Sequence, residues 1–223
     1  MIIAGFSPNS FVDYPKNIAA VIFLAGCNLD CWYCHNRDLI EGRFEQVSLE
    51  EILKRIEEKK GFLDGVVITG GEALLSSLDD LISLAKKIKE MGLLVKLDTN
   101  GTRPEKLKAL LPYLDYVAMD IKAPLDKYSI VTPIQEEDIE NIKKSIDILM
   151  NSDIDYEFRT TFDPHLTIDD IETIAKTIKG AKAYNIQQIN IPAHIDMKRY
   201  STAYIMECVE RANKYVTTTA RSI

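Results

Sequence analysis

With 223 residues, 46% of them hydrophobic and 27% charged, the chain has a globular composition and can bury a sizeable core without disulfides or a structural metal. The net charge of -7 and the pI near 5.1 argue against a phosphate-tracking surface and hence against nucleic acid as a partner. No run approaches the ~20 apolar residues that span a bilayer, and the first eight residues lack the cationic and apolar regions of a secretory signal, so no membrane association is expected.

A cytoplasmic location follows as an expectation. There thiols stay reduced, and clustered cysteines signal metal or catalysis rather than disulfides. Three of the four cysteines fall within eight residues. In chain order, β-type runs occupy Ala19–Leu24, Gly65–Thr69, Leu93–Leu97, Tyr116–Ile121, Asp155–Thr161 and Ile186–Ile191. Amphipathic stretches alternate with them at Leu49–Lys60, Leu78–Met91, Pro104–Leu111, Gln135–Met150, Ile168–Lys179 and Tyr200–Tyr215. Ser48 and Glu51 form a capping-box pattern before the first helix, and Gly92 is a C-cap for the second. No linker or compositional break interrupts the pattern, which predicts one domain over 1–223. Repeated strand–helix units imply parallel strands joined by right-handed crossovers. Either a doubly wound open sheet or a barrel would satisfy them, and six units fall short of the eight in a closed barrel of about 250 residues.

The loop after the first run reads Gly26-Cys27-Asn28-Leu29-Asp30-Cys31-Trp32-Tyr33-Cys34-His35-Asn36, a C-x3-C-x2-C spacing. Thiolates so close on one loop can meet one face of an iron–sulfur cluster. Cys208 lies far away in a helical pattern, so a [4Fe–4S] cluster would keep one iron open, as catalytic metals require. The alternative is zinc on the three thiols and His35, although adjacent residues bite one tetrahedral ion poorly.

Polar motifs follow the later runs. Thr69-Gly70-Gly71-Glu72 offers glycines that admit a close ligand and a carboxylate that can accept from an ammonium, but equally makes a plain turn. Asp98-Thr99-Asn100-Gly101 reads alone as an Asn-Gly turn. Asp120 and Lys122 share a strand face by period-2 alternation. Arg159, inside a strand-like run, needs an anionic partner or a wet edge. His194 follows the last run, and His165 reads as loop chemistry only. Motifs at the C-terminal ends of successive strands are where (β/α) barrels build their sites, whereas an open sheet concentrates its site at one switch point. The expected fold is therefore α/β, a partial, laterally open (β/α)6 barrel of parallel strands.

The cysteine loop, with Tyr33 as its aromatic residue, resembles the signature of radical S-adenosylmethionine (SAM) enzymes. The run Val12-Asp13-Tyr14-Pro15 leading into Gly26–Asn36, followed by Gly-Gly-Glu-Ala, Asp-Thr-Asn-Gly and Asp-x-Lys, is similar across essentially the whole chain to glycyl-radical-enzyme activators, and most closely to activating proteins of anaerobic ribonucleoside-triphosphate reductase. The resemblance implies a [4Fe–4S] cluster on Cys27, Cys31 and Cys34, with SAM chelating the open iron. An electron then cleaves SAM to methionine and a 5′-deoxyadenosyl radical, and the protein orients these cofactors. It also implies cofactor contacts from Tyr33, His35, Gly70, Gly71, Glu72, Asp98, Asn100, Arg159 and His194, with Asp120 and Lys122 at the reacting centre. For Arg159 the SAM carboxylate or ribose stands beside an inter-strand ion pair. Many relatives carry Pro where this chain has Ala73, and activators of pyruvate formate-lyase carry Ala. The implied substrate is a glycine Cα–H of a partner glycyl radical enzyme, and the implied electron donor is flavodoxin or ferredoxin. A radical SAM enzyme acting on a small molecule or another peptide, and a non-catalytic iron–sulfur electron carrier, are the competing readings.

Overall fold

The computed structural model describes residues 1–191 and 197–222. Its contacts divide it into two compact units, residues 1–28, 36–99 and 103–117 in the first, and 29–35, 100–102 and 118 onward in the second. Strand order follows the chain, from β1 (Ile3–Tyr14) and β2 (Asn17–Leu24) through β3 (Gly65–Gly70), β4 (Leu94–Thr99), β5 (Tyr116–Asp120), β6 (Asp155–Phe162) and β7 (Tyr184–Gln188) to β8 (Thr218–Arg221). Within each unit the strands pair mostly in parallel, β2–β3 and β3–β4 in the first, β6–β7 and β7–β8 in the second. The α/β class expected from the sequence holds.

In the first unit, α1 (Arg37–Glu41), α2 (Leu49–Lys59), α3 (Leu78–Glu90) and α4 (Pro104–Leu110) accompany β1 to β4. Ala19, Val21, Ile22 and Leu24 of β2 and Val66, Val67 and Ile68 of β3 are wholly buried. That explains their unbroken apolar runs, since a parallel strand covered on both faces has no polar alternation to show. Ile52 and Ile56 of α2, and Leu81, Leu84, Ala85 and Ile88 of α3, close over them at helical spacing. Gly92, at φ 79°, takes the left-handed position that ends α3, as expected.

One strand in this unit departs from the all-parallel expectation. β1 pairs antiparallel with β2 through several register shifts. Its Ser7-Pro8-Asn9-Ser10 stretch shows no β periodicity, because bulges on an edge strand free it from the pleat's strict alternation. The Tyr14-Pro15 part of the family-like motif is structural. Tyr14 is buried, packs with Val21, Val67 and Tyr116, and lies where a side chain on Gly65 would sit, 3.0 Å from its ring.

The second unit carries α5 (Glu136–Met150), α6 (Ile168–Thr177) and α7 (Thr202–Ala212) between its strands. β7 starts two residues before the expected run, since Tyr184 and Asn185 pair with Phe158 and Arg159 of β6. β8 has only Thr, Ala and Arg and gives no apolar signal. The capping box forms at α6, where Thr167 and Asp170 exchange side-chain-to-backbone bonds. Ser48, the sequence candidate, makes no such bond at α2. Among the described residues no helix is long and apolar enough to cross a membrane.

Candidate active site

In the first unit the candidate residues after β3 are held by backbone contacts. Gly70 (φ 126°) would place a Cβ 2.2 Å from the Leu24 carbonyl oxygen, and Gly71 one 1.9 Å from that of Gly26. Neither position admits a side chain. The contact is laced by hydrogen bonds: the Gly71 N–H donates to Leu24 O (3.0 Å), the Glu72 N–H to Gly26 O (2.8 Å), and Asn36 Nδ2 to Gly70 O (3.0 Å). The glycines thus let β3's end press against the chain leading into Cys27. This close approach is between two parts of the protein's own backbone. Glu72 is 1% exposed. Its Oε1 accepts from the Leu74 N–H (3.0 Å) and the Thr99 hydroxyl (2.8 Å), which fix the carboxylate's orientation.

Asp98 sits at the end of β4 beside Lys96, with which it forms a close ion pair, and Thr69 donates to its other oxygen (3.4 Å). Lys96 is fully buried. A buried ammonium needs a paired carboxylate, and Lys96-x-Asp98 is the reverse of the Asp120-x-Lys122 pattern. The same period-2 rule that singled out Asp120 and Lys122 would have found Lys96.

In the second unit the candidate residues are held by charge. Asp120, at the end of β5, lies 3.2 Å from Lys122 Nζ and 3.0 Å from Arg159 Nε. Of the two partners the sequence left open for Arg159, the inter-strand ion pair is present. Burial alone would raise the Asp120 pKa, but Arg159 and then Lys122 outweigh it and bring it down to about 2. Burial would likewise lower Lys122, yet Asp120, with Tyr33 and Cys31 adding to it, holds it well above the usual lysine value. Tyr128 fixes this segment by accepting from the Lys122 N–H (3.0 Å). Burial raises the Cys31 thiol, with Lys122 opposing. Burial also raises Tyr33, whose enclosed hydroxyl has no hydrogen-bond partner among the described residues. Asn100 accepts from the Thr102 N–H (3.0 Å) and hydroxyl (2.7 Å), which is the turn that its sequence suggested. Cys34 is partly buried and His35 exposed. His194 lies outside the described residues.

The Radical SAM superfamily model matches residues 21–178. The chain belongs to the radical SAM superfamily. Within it the chain groups with the glycyl-radical enzyme activating enzymes. It is 42% identical over 193 residues, 84% of this chain and 79% of the other, to a Methanocaldococcus jannaschii protein whose name assigns it provisionally to that group. It is 31% identical over 194 residues, 82% of this chain and 78% of the other, to the pyruvate formate-lyase-activating enzyme of Clostridium pasteurianum. The fold is also that of Streptococcus suis SuiB bound to S-adenosylmethionine, with a TM-score of 0.65 and 12% identity over 91% of this chain and 52% of the other.

As a radical SAM enzyme the chain uses a [4Fe–4S] cluster and SAM. The donor set suits them: Cys27, Cys31 and Cys34 lie on one short loop and none is in a disulfide, and the enclosed Tyr33 hydroxyl is an unspent hydrogen-bonding group. Among the described residues, no three His, Cys, Asp or Glu side chains are grouped as a preformed metal site. The sequence reading missed Lys96, and it missed the anchor of the cysteine loop itself. Trp32 Nε1 donates to Asp163 Oδ2 (2.5 Å), and the Asp30 N–H donates to the Thr132 hydroxyl (3.0 Å).

Proposed function

We propose that this enzyme activates a glycyl radical enzyme, anaerobic ribonucleoside-triphosphate reductase, by abstracting a hydrogen from a glycine Cα, with its cluster on Cys27, Cys31 and Cys34. Family membership and the relatives' names support the activase reading. The ordered motif set from Val12-Asp13-Tyr14-Pro15 to Asp120-x-Lys122 supports the choice of partner. When bound on the three cysteines, the cluster would supply the one electron for reductive cleavage of SAM, and SAM would supply the group that takes the glycine hydrogen.

The observation that carries the reading is the Asp120–Lys122–Arg159 cluster. Two cations stand beside one carboxylate there, and guanidinium and ammonium groups are the side chains that bind a carboxylate such as that of SAM. Homolysis and hydrogen abstraction send no proton to a base, so these side chains serve by binding and orienting. Glu72, already oriented by Thr99 and Leu74, offers a carboxylate for the SAM amino group. Asp98, Asn100, His35, Tyr33 and His194 complete the proposed cofactor contacts, within one radical SAM domain. Flavodoxin or ferredoxin is the proposed electron donor, in the cytoplasm.

The test is anaerobic reconstitution followed by dithionite and SAM. About four irons per chain and formation of 5′-deoxyadenosine are expected. Both should be lost in Cys27→Ala, Cys31→Ala and Cys34→Ala and kept in Cys208→Ala. Iron binding that survives all three substitutions would overturn the assignment.

A further inference from the structure

Within the second unit, the loop segment that carries Cys31 and Cys34 is tethered by a side-chain relay. Trp32 stands between the two cysteines. Its indole N–H donates to Asp163 Oδ2 at 2.5 Å, across 131 residues of sequence. Asp163 is fully buried and is itself held. Its Oδ1 accepts from the His165 N–H (2.8 Å) and lies 2.7 Å from His165 Nδ1. The His165 ring meets Trp32 edge-on at 5.9 Å, and Trp32 meets Tyr33 in the same way at 5.5 Å. The turn bearing Asp163 is braced in turn, because Tyr200 Oη donates to the Pro164 carbonyl (3.0 Å) and the Leu166 N–H to the Asp163 carbonyl (2.9 Å).

A buried carboxylate is costly unless hydrogen-bonded, and Asp163 is bonded on both oxygens, by the His165 N–H that closes its own turn and by the Trp32 indole. The second bond gains more than a satisfied carboxylate. What it gains is direction. A charge-assisted bond of this length holds the indole at one angle, and the indole sits one residue from Cys31 and two from Cys34. We propose that Asp163 is a positioning residue, braced by His165, which acts through Trp32 to hold Cys31 and Cys34 in the geometry needed for electron transfer to SAM. The proposal rests on the reading that these cysteines hold the cluster. Partners one shell out from metal ligands commonly change activity by about 10–100-fold when removed.

Trp32 is the only tryptophan in the chain, so its emission reports the relay directly. In the reconstituted holoenzyme, Asp163→Ala and Trp32→Phe should each slow 5′-deoxyadenosine formation about tenfold or more, while iron content and SAM affinity hold. Combining them should cost no more than the worse of the two, as for residues acting through one contact. Asp163→Asn keeps one carbonyl acceptor for the indole but turns its amide N–H2 toward the His165 N–H, and should recover part of the rate lost in Asp163→Ala. Trp32 emission should shift in Asp163→Ala and stay close to wild type in Asp163→Asn. Additive losses, an unchanged rate in Asp163→Ala, or an Asn variant as slow as the Ala one would overturn the proposal. Should Asp163→Ala fail to fold, Trp32→Phe alone and with Asp163→Asn give the same comparison. A wild-type chain that binds no iron would instead overturn the cysteine assignment beneath it, an outcome that iron analysis separates from slow turnover.

Discussion

The candidate residues of the two units reach order by opposite means. In the first unit, Gly70 and Gly71 have no side chains, and backbone meets backbone at distances that only glycine permits. In the second unit, Asp120, Lys122 and Arg159 are charged side chains fixed by mutual attraction. The first arrangement is steric and tolerates almost no substitution. The second is electrostatic and should respond to pH and to the removal of one partner. A steric lock fails wholesale, whereas a charge cluster fails by degrees.

The largest effect should come from Gly71→Val. Its Cβ would fall 1.9 Å from the Gly26 carbonyl oxygen, and relief of that overlap must move the chain that enters Cys27. We expect a loss of about 3 kcal/mol, seen as a melting temperature lower by ~6–12 °C, together with poor iron loading. A variant with normal iron content and weakened SAM binding alone would show that the glycine faces the ligand instead.

Asp120→Ala comes next. It leaves Lys122 and Arg159, 12% and 13% exposed, without the carboxylate between them. The expected cost is about 2 kcal/mol, below that of a fully buried pair because Asp120 is itself 30% exposed. The pH dependence has a definite sign. With its pKa lowered from 3.8 to about 2, Asp120 contributes stability that is complete above the unfolded value and fades as pH falls through the folded one. Acid titration of wild type between pH ~4 and ~2 should therefore show a loss that Asp120→Asn lacks, and parallel curves would contradict the pairing.

How much of this was legible in the sequence follows from the distance over which each interaction acts. The cysteine spacing, the Gly-Gly-Glu and the Asp-x-Lys are local patterns and were read as such. The runs of β2 and β3 were plain because burial on both faces leaves them uniformly apolar. Lys96 was legible and was passed over. The Trp32–Asp163 bond was not legible, since nothing near either residue marks the other. β1 and β8 were missed because edge strands carry Ser, Thr, Asn and Arg, which give no β periodicity. Arg159 shows the limit between the two cases: its need for an anion was evident, but the choice of Asp120 was not.

A smaller effect separates pattern from contact at the helix starts. Thr167→Ala removes a formed capping box and should cost about 1 kcal/mol. Ser48→Ala removes a hydroxyl with no capping bond and should stay within about 0.5 kcal/mol. Urea melts of the two variants check this, and an equal loss would mean that the Ser48 box forms in solution.

The most direct test of the activase claim is electron paramagnetic resonance of the partner enzyme after anaerobic incubation with the reduced, SAM-loaded protein. The account predicts a doublet from the glycine Cα hydrogen in anaerobic ribonucleoside-triphosphate reductase, which collapses to a singlet when that glycine is deuterated at Cα. Steady formation of 5′-deoxyadenosine with no radical on any glycyl radical enzyme supplied would contradict it and point to a small molecule as substrate.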